Sequence, residues 1–378
     1  MTRIPFLDLA GINARFAQEF IDVQSRVVRS GWFLHGDETR AFEHEFAAWT
    51  GAQYCIGVAN GYDALRLTLR AWISLGRLQS GDEVVVPANS FVASALAVTD
   101  AGLGIRFADV EADTHNVSVA SVAAAITPRT RVVMPVHLYG QLADIRHIRA
   151  LCAEQHLLLL EDAAQAHGAR LGPSGSGTFG DAGAFSFYPA KNLGALGDAG
   201  CVITGDQALA DRVRMLGNYG SAFKYEHAHR GVNSRIDELQ AAFLRIKLKH
   251  LDRDNARRRE IALRYCAELS HPLIRTPVPP TEPSAHVWHL FVITTPHRAS
   301  LIHHLDSCGI GTMIHYPRAI HRQPAYAELA AQIDPLPVAE RLQDEVLSLP
   351  LSPILKDDEM GRVVAAVNSW PRSMQRNH

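Results

Sequence analysis

Seven short apolar runs punctuate the first 205 residues, and they limit the fold more than any other feature of the chain. They are YCIGVAN (54–60), EVVVPA (83–88), GIRFADV (104–110), RVVMPVHLYG (131–140), HLLLLEDAA (156–164), AGAFSFYP (182–189) and AGCVITG (199–205). Each is nearly continuous in apolar residues rather than alternating, the pattern of a strand covered on both faces. Helical stretches are expected between several of them, over 61–77, 91–102, 144–155 and 206–215. Interleaved strands and helices predict an α/β domain around a mainly parallel sheet.

The texture changes after residue 236. DELQAAFLRIKLKHLDRDNARRREIALRYCAEL (237–269) reads as one long helical stretch with room for an interruption, closed by the proline-containing HPLIRTPVPPTEPSAH. Its triple arginine, 257–259, is expected on a solvated helix face. A strand in VWHLFVIT, a helix in RASLIHHLDSCGI ending at Gly309 and a strand in GTMIHYP then predict a smaller α+β domain. The expected division is 1–249 and 250–378.

A net charge of −2 gives no footing for nucleic acid or an anionic membrane surface. No apolar run is long enough to span a bilayer, and the N-terminus lacks the apolar core of a signal peptide. Five scattered cysteines without a CxxC pair fit reduced thiols, and the 19 histidines include no HExxH spacing. A cytoplasmic protein without a metal is expected.

Three places carry chemistry. In VANGYDAL a strand ends at Asn60-Gly61 and a helix begins at once. Glycine allows close backbone approach, and the helix start offers free N–H groups to a phosphate, although such turns are commonly structural. In LLLLEDAAQAHGA, Asp162 ends a buried strand, where open α/β sheets gather ligands. A carboxylate there needs a cation, or else serves as a helix cap. In FSFYPAKNLGALGDAG, Lys191 is a lone amine in an otherwise uncharged stretch that reaches no carboxylate until Asp198. A desolvated lysine loses its proton and attacks carbonyls. Amine, carboxylate and N–H cradle together suit pyridoxal phosphate, with Phe91 placed to stack on its ring and Ser186 to reach its phosphate.

The ordered set NGYDAL, VPANSFVAS, VHLYGQ, EDAAQAHGA, GAFSFYPAKNLGALGDAG, GVNSRIDELQAAFLRIKL and IHYP resembles the DegT/DnrJ/EryC1/StrS family of fold-type-I, pyridoxal-phosphate-dependent nucleotide-sugar aminotransferases, from IPFLDL to LSLPLSP. The resemblance implies a seven-stranded mixed sheet in the large domain. It implies that Lys191 joins the cofactor covalently and moves the proton, with pyridoxamine phosphate as the other cofactor form. Asp162 would pair with the pyridine nitrogen and Gln165 with the ring hydroxyl. Gly61, Tyr62 and Ser186 would hold the phosphate, Asn233 would reach it from a second subunit of a homodimer, and Phe91 would stack. Tyr62 stands where many relatives have Thr or Ser, so its backbone N–H is the contact expected there. Lysine at 191, where some relatives carry histidine and act as dehydratases, favours transamination.

NSRIDELQAA, WFLHGDE and IHYPRAIHRQPAY resemble the branch acting on dTDP-linked 3-keto-6-deoxyhexoses with L-glutamate as donor. Tyr188, His315 and Tyr316 would face the hexose, and Arg235 and His321 the diphosphate. Tyr188 and His315 have packing roles as their alternative, and Arg235 an interface ion pair. Competing readings are a 4-keto or UDP-3-keto aminotransferase and a non-catalytic regulatory relative.

Overall fold

The computed structural model describes residues 3–371, the side chains of 330–332 apart. All seven apolar runs form strands of one sheet: β1 (Tyr54–Val58), β2 (Glu83–Pro87), β3 (Gly104–Ala108), β4 (Thr130–Val133), β5 (Leu158–Asp162), β6 (Ala182–Ser186) and β7 (Gly200–Thr204). Their order is β1-β7-β6-β5-β4-β2-β3. Only β7 runs against its neighbours β1 and β6; the remaining pairs are parallel. Six strands therefore end at the same edge, and Gly200 begins β7 there, opposite both Val58 and Ser186. Ligands of open α/β sheets bind at that edge.

Helices cover the sheet faces, and their ends follow local signals. Gly61–Ser74 starts where Asn60 Oδ1 accepts from Asp63 N at 2.8 Å, and it stops short of the expected residue 77 because Gly76 turns at φ +74°. Ala93–Asp100, Ile145–Glu154 and Gln207–Gly217 occupy the other expected intervals. RVVMPVHLYG is a strand only to Val133. Pro135 lacks an N–H, and the chain bends into a short 3₁₀ turn, Leu138–Gly140, with Tyr139 at φ +58°.

The first fifty residues form three helices on which the strand pattern is silent. The third, α1 (Asp37–Thr50), is capped by a residue two hundred positions away. The buried Glu238 carboxylate accepts from Gly36 N (2.8 Å), Glu38 N (2.9 Å) and Thr39 N (3.0 Å). This physically joins WFLHGDE to NSRIDELQAA.

The 237–269 stretch is two helices, α2 (Glu238–Leu248) and α3 (Leu251–Glu268), broken at Lys249–His250. The triple arginine is not a solvated face. Arg258 is buried and donates to the Leu351 carbonyl at 3.1 Å, while Arg257 pairs with Asp357 and Arg259 donates to Pro283 O. Loss of hydration lowers the Arg258 guanidinium to about 10.

A second core gathers Tyr265, Trp288, Phe291, Leu305, Leu349 and Met360 around α3 and the antiparallel pair β8 (Phe291–Thr294) and β9 (Val346–Leu349). The helix expected in RASLIHHLDSCGI spans Arg298–Ser307, with Gly309 at φ +74°. GTMIHYP is not a strand. Only Met313 pairs, exchanging backbone bonds with Ser348, because His315 and Tyr316 are drawn toward partners on other segments. Ile4 joins this second core, and Val287 and Leu290 join the sheet core. The proposed division at 249/250 thus separates stretches of chain whose cores share segments. Its outermost residues, 1–2 and 372–378, lie outside the described residues.

Glu238→Ala is expected to lower stability by about 2–3 kcal/mol, since three N–H groups lose a charged acceptor. Urea unfolding at fixed protein concentration checks this; a wild-type midpoint would contradict the capping role.

Candidate active site

The strand edge carries the cradle first. An added Cβ on Gly61 would sit 2.5 Å from Ser186 Cβ, and one on Gly200 would sit 2.4 Å from the Asn60 carbonyl carbon. Both glycines are required by this approach of β6 and β7 to the start of Gly61–Ser74. Asn60 caps Asp63 N–H, and the Ala64 N–H goes to Asn60 O, so the cap does not take up the N–H groups of Gly61 and Tyr62. The Tyr62 side chain turns elsewhere: its ring lies 5.6 Å from the Arg66 guanidinium, and its hydroxyl bonds Asp100. Tyr62 therefore offers the cradle its N–H. Ser186 Oγ accepts from Tyr188 N at 3.3 Å.

Asp162 ends β5 and is buried. Ser94 Oγ donates to its Oδ2 at 2.8 Å, and Ala164 N to its Oδ1 at 3.2 Å. Burial raises its pKa, against the pull of those donors, Lys191 and His137. Glu161, one residue earlier, points to the other face of the sheet. There its carboxylate accepts from Gly177 N, Phe179 N and Gly180 N at 2.7–2.8 Å and from His137 Nε2 at 2.8 Å. Of the two adjacent acids, one is fully occupied with structure and the other is held at the strand edge.

Lys191 follows β6 in a loop closed by Lys191 N to Tyr188 O (2.8 Å) and Ala195 N to Phe187 O (2.7 Å). The side chain is half-buried, and loss of hydration at its amine lowers the pKa from 10.5 to about 8, with the Asp162 charge pulling the other way. Among the described residues neither the Lys191 amine nor the Asp162 carboxylate has an ion-pair partner at contact distance. A buried carboxylate without a cation is costly. A protonated ring nitrogen would relieve it, and a carbonyl would engage the amine. Together with the glycine-lined N–H cradle, these residues fit pyridoxal phosphate.

Gln165 is buried between Tyr139 N, which donates to its Oε1 at 2.6 Å, and the Tyr316 hydroxyl, to which its Nε2 donates at 3.1 Å. One amide hydrogen remains for a ligand. The half-exposed Phe91 ring lies 5.5 Å from that of Tyr316. His315 bonds Ser348 Oγ at 2.8 Å, and its carbonyl accepts from the Tyr139 hydroxyl. Burial and the nearby Lys191 lower its pKa to about 4, so it is neutral.

Gly61, Ser186, Asp162, Lys191, Gln165, Tyr316, Phe91 and His315 thus converge. Tyr188 is exposed, its carbonyl holding the Lys191 loop. Asn233 is exposed, and Arg235 donates to Asn218 Oδ1 at 3.0 Å and lies over Tyr219; among the described residues neither bonds the Lys191 group. Ser234 between them accepts from Ala59 N, so this segment runs beside the end of β1. His321 does not join: it is buried against Phe107 and bonds Glu340 Oε1 at 3.1 Å.

Sequence reasoning missed Ser94, Tyr139, His167, Asn192, Asn255 and His289. The first four lie inside quoted motifs, but a polar side chain within a motif does not reveal which group it meets.

The family described as the DegT/DnrJ/EryC1/StrS aminotransferase family matches residues 15–368. The dTDP-3-amino-3,6-dideoxy-α-D-galactopyranose transaminase of Aneurinibacillus thermoaerophilus is 47% identical over 367 residues, covering 97% of this chain and 99% of that one. The UDP-N-acetyl-3-dehydro-α-D-glucosamine 3-aminotransferase of Acidithiobacillus ferrooxidans is 40% identical over 366 residues, covering 97% of each. The crystal structure of Streptomyces venezuelae DesV in complex with a ketimine intermediate superposes with a TM-score of 0.93 at 45% identity, covering 99% of this chain and 100% of that one.

In the cofactor-free protein, acylation of Lys191 is expected to rise through a midpoint near pH 8, followed by competitive labelling and mass spectrometry. Asp162→Asn removes the charge that favours the ammonium, so the midpoint falls. A midpoint at the ordinary lysine value of 10.5 would contradict the desolvated pocket.

Proposed function

The chain belongs to the DegT/DnrJ/EryC1/StrS aminotransferase family, and from that footing we propose that it places an amino group on carbon 3 of a dTDP-linked keto-deoxyhexose. It is a pyridoxal-phosphate-dependent aminotransferase. The observation that carries the reading is the desolvated Lys191 amine near an Asp162 carboxylate that, among the described residues, has no ion-pair partner at contact distance. The 47% identity to a dTDP-3-amino-dideoxygalactose transaminase supports the sugar, and the 40% identity to a UDP-sugar 3-aminotransferase keeps that substrate as the second reading.

The product is a dTDP-3-amino-3,6-dideoxyhexose for a surface glycan or an antibiotic sugar. L-glutamate is the donor, leaving as 2-oxoglutarate. When bound, pyridoxal phosphate supplies an aldehyde that accepts the amino group and a ring that draws electrons from the reacting carbon. The protein does the rest. Asp162 keeps the ring nitrogen protonated, and Gln165 offers its remaining amide hydrogen to the ring hydroxyl. The N–H groups of Gly61 and Tyr62, with Ser186, hold the phosphate at the positive end of a helix. Phe91 covers the ring.

Lys191 takes a proton from the donor α-carbon and delivers one to the sugar carbon in the second half of the cycle. An amine with its pKa near 8 is available near neutral pH both as the free base that takes the proton and as the ammonium that delivers it. Neutral His315, with Tyr316 and Tyr188, meets the hexose, and Arg235 the diphosphate.

The reading includes a homodimer in which Asn233 reaches the phosphate of the other copy. Exposed Tyr219, Phe223 and Tyr225, at 49%, 73% and 84%, lie on the hairpin just before Asn233, and exposed Trp32 and Phe33 lie on the loop clamped by Glu238. An aromatic surface of this kind favours a covered face. Among the described residues no helix is long and apolar enough to cross a membrane, and the five cysteines are unpaired, which supports a cytoplasmic setting.

The test converts the enzyme to its pyridoxamine form with L-glutamate and then offers 3-keto or 4-keto dTDP-6-deoxyhexose or a UDP-3-keto sugar. The absorbance of the resting, lysine-bound cofactor is expected to return with the dTDP-linked 3-keto sugar. Return only with the 4-keto or UDP sugar would overturn the substrate, and failure of glutamate to bleach the band would overturn the donor.

A further inference from the structure

Asn192 follows the reactive lysine and ends in a fully bonded amide. Its Nδ2 donates to Val287 O at 3.1 Å and to Asn255 Oδ1 at 2.8 Å, and its Oδ1 lies 3.1 Å from His289 Nδ1. Asn255 Nδ2 in turn donates to His167 O at 2.8 Å.

Two main-chain carbonyls determine every proton in this chain of bonds. A carbonyl only accepts, so Val287 O requires the NH₂ of Asn192, and His167 O requires the NH₂ of Asn255. The oxygen of Asn192 then faces His289 Nδ1, which must carry a hydrogen. Burial holds the imidazole well below its ordinary pKa, so the ring is neutral and Nε2 keeps the lone pair.

The circuit closes on one helix. The His289 carbonyl lies 3.5 Å from Arg258 Nη1, and Arg258 stands one turn from Asn255 on α3. Asn255, Arg258 and His289 are 4%, 4% and 8% exposed. His167 belongs to the loop that follows Asp162, so Asn255 grips the acid-bearing loop with one end of its amide and the amine-bearing loop with the other. Gly168 is tied to the same grip, since a Cβ there would lie 2.8 Å from Asn255 Nδ2.

We propose that Asn192 is a positioning residue for Lys191: with Asn255 it fixes the Lys191 loop against the Asp162 loop, and it holds His289 as the Nδ1–H tautomer, a neutral imidazole beside the reactive amine. An aspartate at 192 would accept the same hydrogen from His289 and favour an imidazolium. It would also have no hydrogen for Val287 O or Asn255, and Asn255 cannot turn its amide without losing His167 O. A neutral amide, with one acceptor and two donors, satisfies all three neighbours. The inference rests on Lys191 being the acting amine, as proposed above, but not on which sugar is taken.

Neutron diffraction from a deuterated crystal of the holoenzyme reads the tautomer directly. Deuterium is expected on His289 Nδ1 and not on Nε2 in the wild type, and on both nitrogens in Asn192→Asp. Deuterium on Nε2 in the wild type, alone or together with Nδ1, overturns the proposal. Asn192→Ala is expected to slow both half-reactions about 10- to 100-fold, with KM for glutamate and sugar little changed, because displacement of the amine penalises both transfers. Wild-type rates in both halves, or a loss confined to KM, would also overturn it. If either variant fails to fold, the wild-type crystal still decides.

Discussion

The Asp162 carboxylate is buried at the end of a central strand with two hydrogen-bond donors and, among the described residues, no cation in contact. The rest of the site depends on that arrangement. Burial alone would drive the acid toward its neutral form, and Ser94, Ala164 and the nearby Lys191 oppose it. The sheet makes the location possible: six strands end at one edge, and the chain leaves the adjacent, parallel-paired β5 and β6 there, with the acid at the end of β5 and the amine in the loop after β6. The antiparallel β7 returns between β6 and β1 and brings Gly200 against Asn60, which closes the N–H cradle beside the same edge.

A second layer keeps these groups in place, and most of it lies on α2 and α3. Lys247 is buried and donates to Gly194 O and, at 3.1 Å, to Asn13 Oδ1; Gln240 accepts from Leu196 N at 2.9 Å; Asn255 grips the Asp162 loop through His167 and the Lys191 loop through Asn192. Burial brings Lys247 down to about 8, with Arg15 adding to the effect, so even this structural amine is held at a cost. α2 packs with Phe42, Phe185 and Ile203 on one side and with Phe16 and Phe20 on another, and α3 packs in the second core. Support for Lys191 therefore comes from outside the sheet that carries it.

Much of this was legible in the sequence, for definite reasons. A strand covered on both faces shows itself as an unbroken apolar run, so all seven were visible. The motif residues Gly61, Asp162, Ser186 and Lys191 sit at the ends of those runs. What was hidden depends on remote partners. GTMIHYP has the composition of a strand, but His315 and Tyr316 are drawn to Ser348, Tyr139 and Gln165. Three consecutive arginines suggest solvent, yet Arg258 finds backbone carbonyls 93 and 31 residues onward. His321 follows the same IHYP segment, but Glu340 and Phe107 bury it elsewhere. Glu161 and Asp162 alternate across the sheet; which of the two faces the site follows from strand pairing, which local pattern does not reveal.

The central claim is that Asp162 is an anion awaiting a protonated ring nitrogen. Calorimetric titration of the cofactor-free enzyme with pyridoxal phosphate and with its analogue carrying carbon in place of the ring nitrogen tests it. The account predicts binding of the analogue about 100-fold weaker, the scale of a buried hydrogen bond to a charged group, and loss of that discrimination in Asp162→Ala. Equal affinity of the wild-type protein for both compounds would contradict it.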